Sequence, residues 1–483
     1  MPTSLSSVSL VCVLALQGVA TGQFYDFARE GVLGTSFALR VVASDEEAAA
    51  ATERIVLDEI ERLEEILSAH RVDSEFSKFT NARQAESLSP DLLQVLLACD
   101  RWGKTTSSSF HAAFNSGSDR NVVDASSKGS YLSPWQVDPK GGTAKLISAG
   151  KVGIDGLAKG YIIDRACAVA KKSARVQGLM IDIGGDLRVF GAIDHLVKVV
   201  NPLQPADNAQ PLFAVKLRNM SVATSGSYAR PIVGKDGQAA ESHIRDPKDG
   251  RSANGVLGAT VIAYSCIDAD ALATALHVME PAESLQLIES LDDCECVLVE
   301  VGGKIRKSSG IDKLVDENDG FIPEVAIPAA GLEVVLDFVI RKPDSKKSSR
   351  SYRRPYVAIW IEDEQGEHVR TLRLWINRRK WLRDLKTWYR VHRRDDDLIE
   401  TVSRATRRPG EYKVTWNGKG DDGKDLPQGN YVLCLEVARE HGTYQIMRAP
   451  FRTLVDEETA MKPNEEIERA SVSVRRRGKV SKD

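Results

Sequence analysis

Two segments that lie far apart in the sequence have complementary features. Residues 153–164 are rich in glycine and run into an amphipathic stretch, whereas residues 266–279 have the composition of a helix that opens with Asp268 and Asp270. On a helix, Asp270 and Thr274 are four residues apart and project from one face. A carboxylate and a hydroxyl at the positive end of a helix are suited to a hard cation such as Mg²⁺.

Together the two segments predict a Mg²⁺-assisted reaction on a phosphate-bearing ligand. A Mg²⁺ ion held by one carboxylate completes its octahedron with water and substrate phosphate, and glycine allows the backbone to approach that phosphate. On spacing alone, helix capping by an aspartate is the simpler interpretation of Asp270. The first segment is not a Walker motif, because Gly160 rather than Ser or Thr follows Lys159.

Length and charge limit the classes of protein to consider. A chain of 483 residues predicts about three domains, or two larger ones. The net charge of −3 gives no reason to expect nucleic acid as a partner. An apolar run over residues 8–20 is shorter than the ~20 residues of a spanning helix. It suits a secretory signal at residues 1–22, although no Lys or Arg precedes it, and we therefore predict export to the periplasm or cell envelope.

The N-terminal two-thirds of the chain mixes helix and strand patterns. An apolar stripe predicts a helix that ends near His70, and residues 68–81 then read as a polar loop. Ser89 and Pro90 predict the start of the next helix. Residues 107–151 have little apolar periodicity and are expected to be an active-site loop or a surface insertion. Residues 179–191 predict two strands joined by a Gly-Gly turn.

The composition changes after residue 310. Residues 311–330 read as a linker, and residues 331–455 contain short strands separated by Gly, Asp and Pro, which predicts an all-β immunoglobulin-like sandwich. Basic and aromatic residues alternate over 341–394, as in some nucleic-acid-binding surfaces, but buried tryptophans of a sandwich explain them better. Residues 456–483 are charged and aperiodic, and we predict a disordered tail.

An ordered set of motifs resembles the ApbE family, the FAD:protein FMN transferases. The motifs are LGTSF, SAHRVDSEFSKFTN, GIDGLAKGYIID, IDIGGDLRVFG, ATSGSY, SHIRDPKDG and ADALATAL, between about residues 31 and 303. The resemblance implies an α/β (α+β) transferase domain over residues 23–310, with FAD in a cleft. It also implies transfer of FMN from FAD to a Ser or Thr hydroxyl of an exported redox protein, with AMP leaving. That partner would also allow association with a membrane.

The resemblance further implies roles for individual residues. Mg²⁺ would be held by Asp270, Thr274 and the backbone carbonyl of Ala158, and His243 falls at a position that assists the reaction together with Asp270. The motifs that surround the dinucleotide contain Lys159, Gly184, Gly185, Asp186, Ser225 and Asp246.

Residues 108–119 depart from the family pattern. They read SSFHAAFNSGSD where the family has a GAFDPTVGPL-like stretch, with His111 near the place of the aspartate. The sequence therefore leaves two alternatives to transfer open: hydrolysis of FAD to FMN and AMP, or a flavin-binding or scaffold protein with reduced catalysis.

The C-terminal region resembles an uncharacterised β-sandwich domain found beside these enzymes, on residues 407–444. The preceding segment ETVSRAT is a degenerate form of the acceptor motif that these enzymes modify, which makes Thr406 a candidate acceptor within the same chain. A threonine at a strand edge is the simpler interpretation, because Arg404 stands where the motif has glycine.

Overall fold

The computed structural model describes residues 22–82, 84–113, 131–148, 150–172, 176–191, 193–202, 211–226, 247, 253, 255–301, 303–316, 332–342, 353–421, 423–440 and 442–476. By their contacts these residues form two compact units. Unit 1 contains the described residues of 1–25, 39–197 and 214–320, and unit 2 contains those of 26–38, 198–213 and 321–483.

The described part of the chain forms eight α-helices. They are α1 (Glu46–Leu67), α2 (Glu75–Asn81), α3 (Pro90–Thr105), α4 (Asp155–Ala170), α5 (Cys266–Val278), α6 (Pro281–Glu289), α7 (Lys386–His392) and α8 (Asp396–Val402). As the sequence predicts, α3 begins with Ser89 as its N-cap and proline in its first turn, and the Ser89 hydroxyl accepts a hydrogen bond from Leu92 N at 3.3 Å.

The strands up to residue 307 belong mainly to one large sheet. They are β1 (Gln23–Val32), β2 (Thr35–Ala43), β3 (Glu86–Ser87), β4 (Trp135–Asp138), β5 (Thr143–Leu146), β6 (Val176–Ile183), β7 (Asp186–Gly191), β8 (His195–Val199), β9 (Phe213–Leu217), β10 (Ser221–Gly226), β11 (Val256–Ala263), β12 (Glu295–Glu300) and β13 (Ile305–Lys307). The eight-stranded sheet has the order β1-β2-β6-β7-β10-β11-β12-β13, β3-β5-β4 form a small sheet, and β8 pairs with β9.

Helices α4 and α5 pack against each other in unit 1, and α5 also lies on β10 and β11. Residues on all sides of α5 are buried, including Cys266, Ala269, Leu272 and Leu276. A helix that is apolar all round is expected inside a protein rather than on its surface. This position places the carboxylate of Asp270 within the core of unit 1.

Unit 2 contains two sheets that share one core, as in a β-sandwich. The strands are β14 (Leu332–Ile340), β15 (Tyr356–Glu362), β16 (His368–Trp375), β17 (Ser403–Arg404), β18 (Gly410–Trp416), β19 (Asn430–Ala438), β20 (Tyr444–Arg452), β21 (Glu457–Met461) and β22 (Ile467–Arg476). The sheet orders are β18-β14-β22-β21 and β17-β16-β15-β19-β20. Buried apolar residues of both sheets form one cluster, among them Leu336, Ile359 and Leu435.

The predicted disordered tail from residue 456 is wrong over the described residues. Strand β22 pairs with β14 along its length and with β21 on its other side. Its alternate residues Ala470, Val472 and Val474 are buried, whereas Ser471 and Ser473 between them are only partly buried and the flanking Arg469 and Arg475 are exposed. The charged composition therefore obscured a period of two, which is the signature of a strand with one buried face. Residues 477–483 lie outside the described residues.

Two shorter segments also differ from the sequence-based expectations. Residues 68–81 do not form a loop throughout: Ser74 caps α2, and Phe76 and Phe79 bury one face of that helix. Within residues 107–151, β4 and β5 form an antiparallel pair, Trp135–Asp138 with Thr143–Leu146. The aromatic side chain of Trp135 is buried, so this part is packed rather than a simple surface insertion.

Candidate functional site

The contact between α4 and α5 is closest at Gly160. A Cβ atom added there would lie 2.6 Å from the carbonyl carbon of Cys266 and 2.8 Å from Cα of Ile267, and closer still to the Cys266 carbonyl oxygen. Only glycine allows this approach, because real Cβ atoms do not come so near to backbone atoms. Gly160 therefore allows the two predicted segments, residues 153–164 and 266–279, to pack together.

Asp270 and Thr274 bind opposite ends of one turn of α4. The N–H of Gly160 donates to Oδ2 of Asp270 at 2.9 Å, and the Thr274 hydroxyl donates to the carbonyl oxygen of Gly156 at 3.3 Å. The four-residue spacing in α5 thus matches the four-residue spacing between Gly156 and Gly160. Asp270 and Thr274 face α4, as the sequence predicts for one helix face.

The Asp270 carboxylate lies in a strongly perturbing environment. The residue is 5% exposed, and burial raises the pKa of its carboxyl group. Lys159 and the hydrogen bond from Gly160 oppose this rise, whereas the nearby Asp155 and Asp164 add to it. A buried carboxylate with carboxylate neighbours is stabilised in its charged form by a bound cation.

Three other predicted residues lie around this pair. The amine of Lys159 forms an ion pair with Oδ2 of Asp186, the first residue of β7. The hydroxyl of Ser225, in β10, lies 3.5 Å from that of Thr274. Lys159, Asp186 and Ser225 therefore belong to the same neighbourhood as Asp270, as predicted.

The Gly184-Gly185 turn between β6 and β7 has the predicted conformation. Both residues have positive φ, 64° and 97°, and the N–H of Gly185 donates to Oδ1 of Asp182 at 2.9 Å. Among the described residues, no heavy atom lies within 4 Å of a Cβ built at Gly185, so this side of the backbone leaves room for a ligand.

Asp164 is a residue that the sequence analysis did not single out. Its two carboxylate oxygens accept from the N–H groups of Cys266 and Ile267, each at 3.0 Å, at the first turn of α5. Arg188 Nη1 donates to Oδ1 of the same carboxylate at 2.5 Å. Burial raises the pKa of Asp164, and Arg188 opposes the rise. Its position at the end of the first segment, four residues after Gly160, is the signal that could have identified it.

Asp268, the other carboxylate at the start of α5, has a different role from Asp270. Oδ1 of Asp268 accepts from Trp102 Nε1 at 3.0 Å and from Arg101 Nη2, and Oδ2 accepts from the Ser265 hydroxyl at 2.5 Å. Asp268 therefore joins α5 to α3 and accepts a hydrogen bond from Ser265, the N-cap of its own helix, whereas Asp270 faces α4.

The first part of the segment that departs from the family pattern, residues 108–113, packs on the start of α4, and residues 114–119 lie outside the described residues. Ser107 and Ser108 have positive φ values of 50° and 69°, which are uncommon for residues other than glycine. They direct Phe110 into the core, where its ring would lie 2.9 Å from a Cβ at Gly156. Burial lowers the pKa of the next residue, His111. Phe110 thus supports the turn of α4 that contacts Thr274.

Two predicted site residues cannot be placed, and a third, Ala158, lies on α4 between Gly156 and Gly160, where its role as a metal ligand stays a prediction. His243 and Asp246 lie outside the described residues. Ala158 is buried in the first turn of α4, and its N–H donates to Ile154 O at 2.9 Å. The α4 carbonyl hydrogen-bonded to Thr274 belongs to Gly156 rather than Ala158.

The oxygen donors at this site fit Mg²⁺. A buried carboxylate, a hydroxyl and backbone carbonyl groups are hard ligands of the kind that this ion takes, together with water and phosphate. Among the described residues, no group of three or more His, Cys, Asp or Glu side chains is placed to hold a metal ion. The proposed ion would therefore be held by few protein side chains.

Comparisons with known proteins agree with the resemblance seen in the motifs. The FAD:protein FMN transferase of Treponema pallidum (strain Nichols) is 28% identical over 342 residues, which cover 62% of this chain and 92% of that protein. The FAD:protein FMN transferase of Vibrio cholerae serotype O1 is 25% identical over 305 residues, which cover 59% of this chain and 90% of that protein.

A solved structure shows the same fold. The crystal structure of the ApbE protein of Thermotoga maritima matches with a TM-score of 0.53 and 24% identity, and the match covers 61% of this chain and all of that one. The ApbE-like fold predicted for the first domain is confirmed. The immunoglobulin-like type of the second domain stays a prediction.

Family matches cover both parts of the chain. The family described as "Predicted periplasmic protein (DUF2271)" matches residues 343–469, and the ApbE family matches residues 33–298. The ApbE match spans more than half of the 483 residues and contains both α4 and α5. The chain therefore belongs to the ApbE family.

Proposed function

We propose that this protein transfers the FMN part of FAD to a Ser or Thr hydroxyl of an exported redox protein, in a reaction that depends on Mg²⁺. The acceptor oxygen attacks the FMN phosphorus, the bond from that phosphorus to the AMP part breaks, and the hydroxyl proton leaves. Family membership and two relatives named FAD:protein FMN transferase support a transferase.

One observation carries the proposed metal role. Asp270 and Thr274 reach one turn of α4 with matched spacing, at Gly160 and Gly156 respectively. The two hydrogen bonds orient both ligands: the N–H of Gly160 fixes one carboxylate oxygen, and the Thr274 hydroxyl directs its proton to Gly156. The Thr274 oxygen lone pairs, the second carboxylate oxygen of Asp270 and the backbone carbonyl of Ala158 are then the groups that would hold Mg²⁺.

When bound, Mg²⁺ would neutralise the diphosphate of FAD and stabilise the charge that develops on the leaving group. The chain's own residues position the reactants. Lys159 and Asp186 form a charged pair beside the cation ligands, and the open backbone at Gly185 allows a phosphate or ribose group to approach closely. We assign the assisting role in proton removal to His243 and a dinucleotide contact to Asp246.

We further propose that the protein acts after export. The family that matches residues 343–469 is described as a predicted periplasmic protein, and the apolar run at residues 8–20 has the length of a signal sequence. None of the described helices has the length and apolar character needed to cross a bilayer. Contact with a membrane would then come through the acceptor protein.

The central experiment measures AMP release and covalent flavin together. The protein is incubated with FAD and Mg²⁺, with and without an acceptor protein that carries a Ser or Thr flavinylation motif, and a denaturing gel is read by flavin fluorescence. Transfer predicts acceptor-dependent AMP release and a fluorescent acceptor band. AMP release without a labelled acceptor would replace transfer by hydrolysis, and FAD binding without AMP release would indicate a binding or scaffold protein.

Thr406 is a second candidate acceptor, within the chain itself. The residue is 6% exposed, so modification requires local opening of unit 2. Intact mass after incubation with FAD and Mg²⁺ tests this: an FMN-sized adduct should be present in the native chain and absent from Thr406→Ala. Thr453→Ala is the matched control, because Thr453 is also 6% exposed and lies in the same unit. An adduct that persists in Thr406→Ala, or no adduct in the native chain, contradicts self-modification.

A further inference from the structure

Unit 2 carries a strongly basic segment that the proposed transfer reaction does not use. Residues 379–394 contain seven Lys or Arg residues and one carboxylate, Asp384. They form the 3₁₀-helix Arg379–Asp384, helix α7 and the turn that follows it. Six exposed cations of this segment are called the basic surface below: Lys380, Arg383, Lys386, Arg390, Arg393 and Arg394.

The core of the sandwich holds this segment in place from its other side. Leu382, Leu385 and Trp388 are buried in one apolar cluster with side chains of β15, β16 and β19. The buried carboxylate of Glu436, in β19, accepts from the N–H groups of Thr387 at 2.7 Å and Trp388 at 2.9 Å. The backbone that carries the cations is therefore fixed by packing and by hydrogen bonds.

The cations project away from the core in both helices. Lys386 and Arg390 are four residues apart in α7, and each is two positions from the buried Trp388, which directs both to the opposite face. Lys380 and Arg383 are three residues apart, a spacing that places side chains on one side of a 3₁₀-helix. Like charges at these spacings repel each other, and an anionic partner would relieve that repulsion.

Two carboxylates that follow the basic surface in the sequence are already engaged. Asp396 forms an ion pair with Arg379, which is not a member of the basic surface. Asp395 accepts the N–H of Leu398 at 3.0 Å as the N-cap of α8. Among the residues that the structure describes, no carboxylate forms an ion pair with any of the six cations. The basic surface therefore keeps its charge available for a partner.

Aromatic and apolar side chains lie among these cations. Trp381 and Tyr389 are only partly buried, and Val391 is 59% exposed. Nζ of Lys380 lies 5.5 Å from the centre of the Trp381 ring, a contact that does not neutralise its charge. Trp and Tyr are enriched where a membrane meets water, because each ring system combines an apolar body with a polar group. This mixture suits a lipid surface better than a purely polar polyanion.

We propose that the basic surface docks unit 2 on a membrane that contains anionic lipids. Clusters of roughly four to eight Lys or Arg residues recognise anionic lipid headgroups, and each residue strengthens binding by about fivefold, equivalent to about 1 kcal/mol. The choice of lipid over nucleic acid rests on the proposed export, which brings the protein to the cell envelope. Direct contact with lipid would add to any contact made through the acceptor protein. The alternative is a solvated surface that has no partner.

Sedimentation of the full chain with lipid vesicles tests this proposal. Vesicles of phosphatidylcholine mixed with phosphatidylglycerol should bind the protein, whereas vesicles of phosphatidylcholine alone should bind it much more weakly. Binding should weaken as salt is added, because the screening length falls from about 10 Å at 0.1 M to about 3 Å at 1 M. The assay needs neither FAD nor Mg²⁺, so its failure is distinct from a failure of the transfer reaction.

A triple variant removes the centre of the basic surface. Arg383→Gln, Lys386→Gln and Arg390→Gln combined should weaken binding to the mixed vesicles by roughly 100-fold, from three contributions of about fivefold each. The three side chains are exposed, and substitutions of this kind change the free energy of unfolding by about 0.5 kcal/mol or less. A loss of binding would therefore not reflect unfolding, which the Tm of the variant checks.

The matched control removes the same charge elsewhere in unit 2. It combines Lys413→Gln, Arg452→Gln and Arg469→Gln, which are exposed cations paired with carboxylates. Binding to the mixed vesicles should be nearly unchanged. No binding to the mixed vesicles, equal binding to phosphatidylcholine alone, or the same loss in both triple variants would each overturn the proposal. Tighter binding to a single-stranded oligonucleotide or to polyglutamate than to the mixed vesicles would also overturn it.

Discussion

The close contact at Gly160 makes a sharp prediction for the variant Gly160→Ala. The new Cβ would lie 2.6 Å from the Cys266 carbonyl carbon, where ordinary contacts begin at 3.4 Å, so the helices must separate by about 0.8 Å or more. The hydrogen bond from Gly160 N to Asp270, now 2.9 Å, would lengthen beyond 3.5 Å and be lost. The obstacle is backbone, which cannot rotate away as a side chain can.

The expected cost follows from three contributions. Overpacking a core costs about 1–3 kcal/mol, and loss of a hydrogen bond to a charged group costs about 1.5–3 kcal/mol. Alanine in a helix recovers about 1 kcal/mol relative to glycine. The net destabilisation of unit 1 is therefore roughly 1.5–5 kcal/mol, which corresponds to a fall of roughly 3–20 °C in the Tm of a unit of this size.

Differential scanning calorimetry measures this change in the full chain, because the transition of unit 2 serves as an internal reference. Gly255→Ala is the control: Gly255 lies in unit 1, and no heavy atom of the part of the chain that the structure describes lies within 4 Å of a Cβ built there. Mg²⁺ binding should weaken in Gly160→Ala and not in Gly255→Ala, since only the first variant loses the hydrogen bond that orients Asp270. If Gly160→Ala and Gly255→Ala have the same Tm and the same affinity for Mg²⁺, the close approach of α4 and α5 is not as described.

Three further predictions concern single side chains. Asp270→Asn should keep or raise the Tm of the metal-free protein, since a buried charge is removed. It should also lower the rate of AMP release by more than the roughly 10–100-fold that is typical for residues that only orient a metal ligand. If Mg²⁺ stabilised this variant as much as the native chain, Asp270 would not be a ligand. Thr274→Val should weaken Mg²⁺ binding in calorimetry whereas Thr274→Ser should not, and equal affinities would exclude the hydroxyl as a ligand. His392 is 8% exposed, and burial together with the charge of the nearby His368 lowers its pKa to about 4. Since the unfolded state then binds the proton more readily, the free energy of unfolding of unit 2 should fall by about 3 kcal/mol as the pH falls from about 6.5 to 4. His392→Phe should abolish that part of the pH dependence in urea titrations. Parallel pH profiles for the two proteins would refute this prediction.

The sequence predicts elements well where one periodic pattern decides the structure. The strands Leu332–Ile340 and Asn430–Ala438 follow from dense β-branched and apolar residues. The helix that begins at Pro90 follows from its cap. Strand Ile467–Arg476 was missed because its three arginines and one glutamate lie within a highly charged C-terminal stretch, although every second residue over Ala470–Val474 is buried.

The candidate site was only partly predictable from the sequence. Helical spacing indicates that Asp270 and Thr274 share a face, but not which atoms they meet. Asp270 and Thr274 form hydrogen bonds with Gly160 and Gly156 only because α4 and α5 pack together. This packing is a tertiary contact between segments more than a hundred residues apart. The same reason explains why Asp164 was overlooked: its partners, two N–H groups of α5, are created only by that packing.

The position of β14 has a consequence for synthesis and for truncated forms of the protein. β14 is the first strand of the sandwich along the chain and belongs to the sheet β18-β14-β22-β21. It pairs on one side with Gly410–Trp416 and on the other with Ile467–Arg476. Until the ribosome has made both partners, β14 remains an apolar ribbon with free N–H and C=O groups, a template for pairing with other chains. A fragment that stops before Ile467 keeps that liability permanently, so boundaries for expression should lie beyond Arg476.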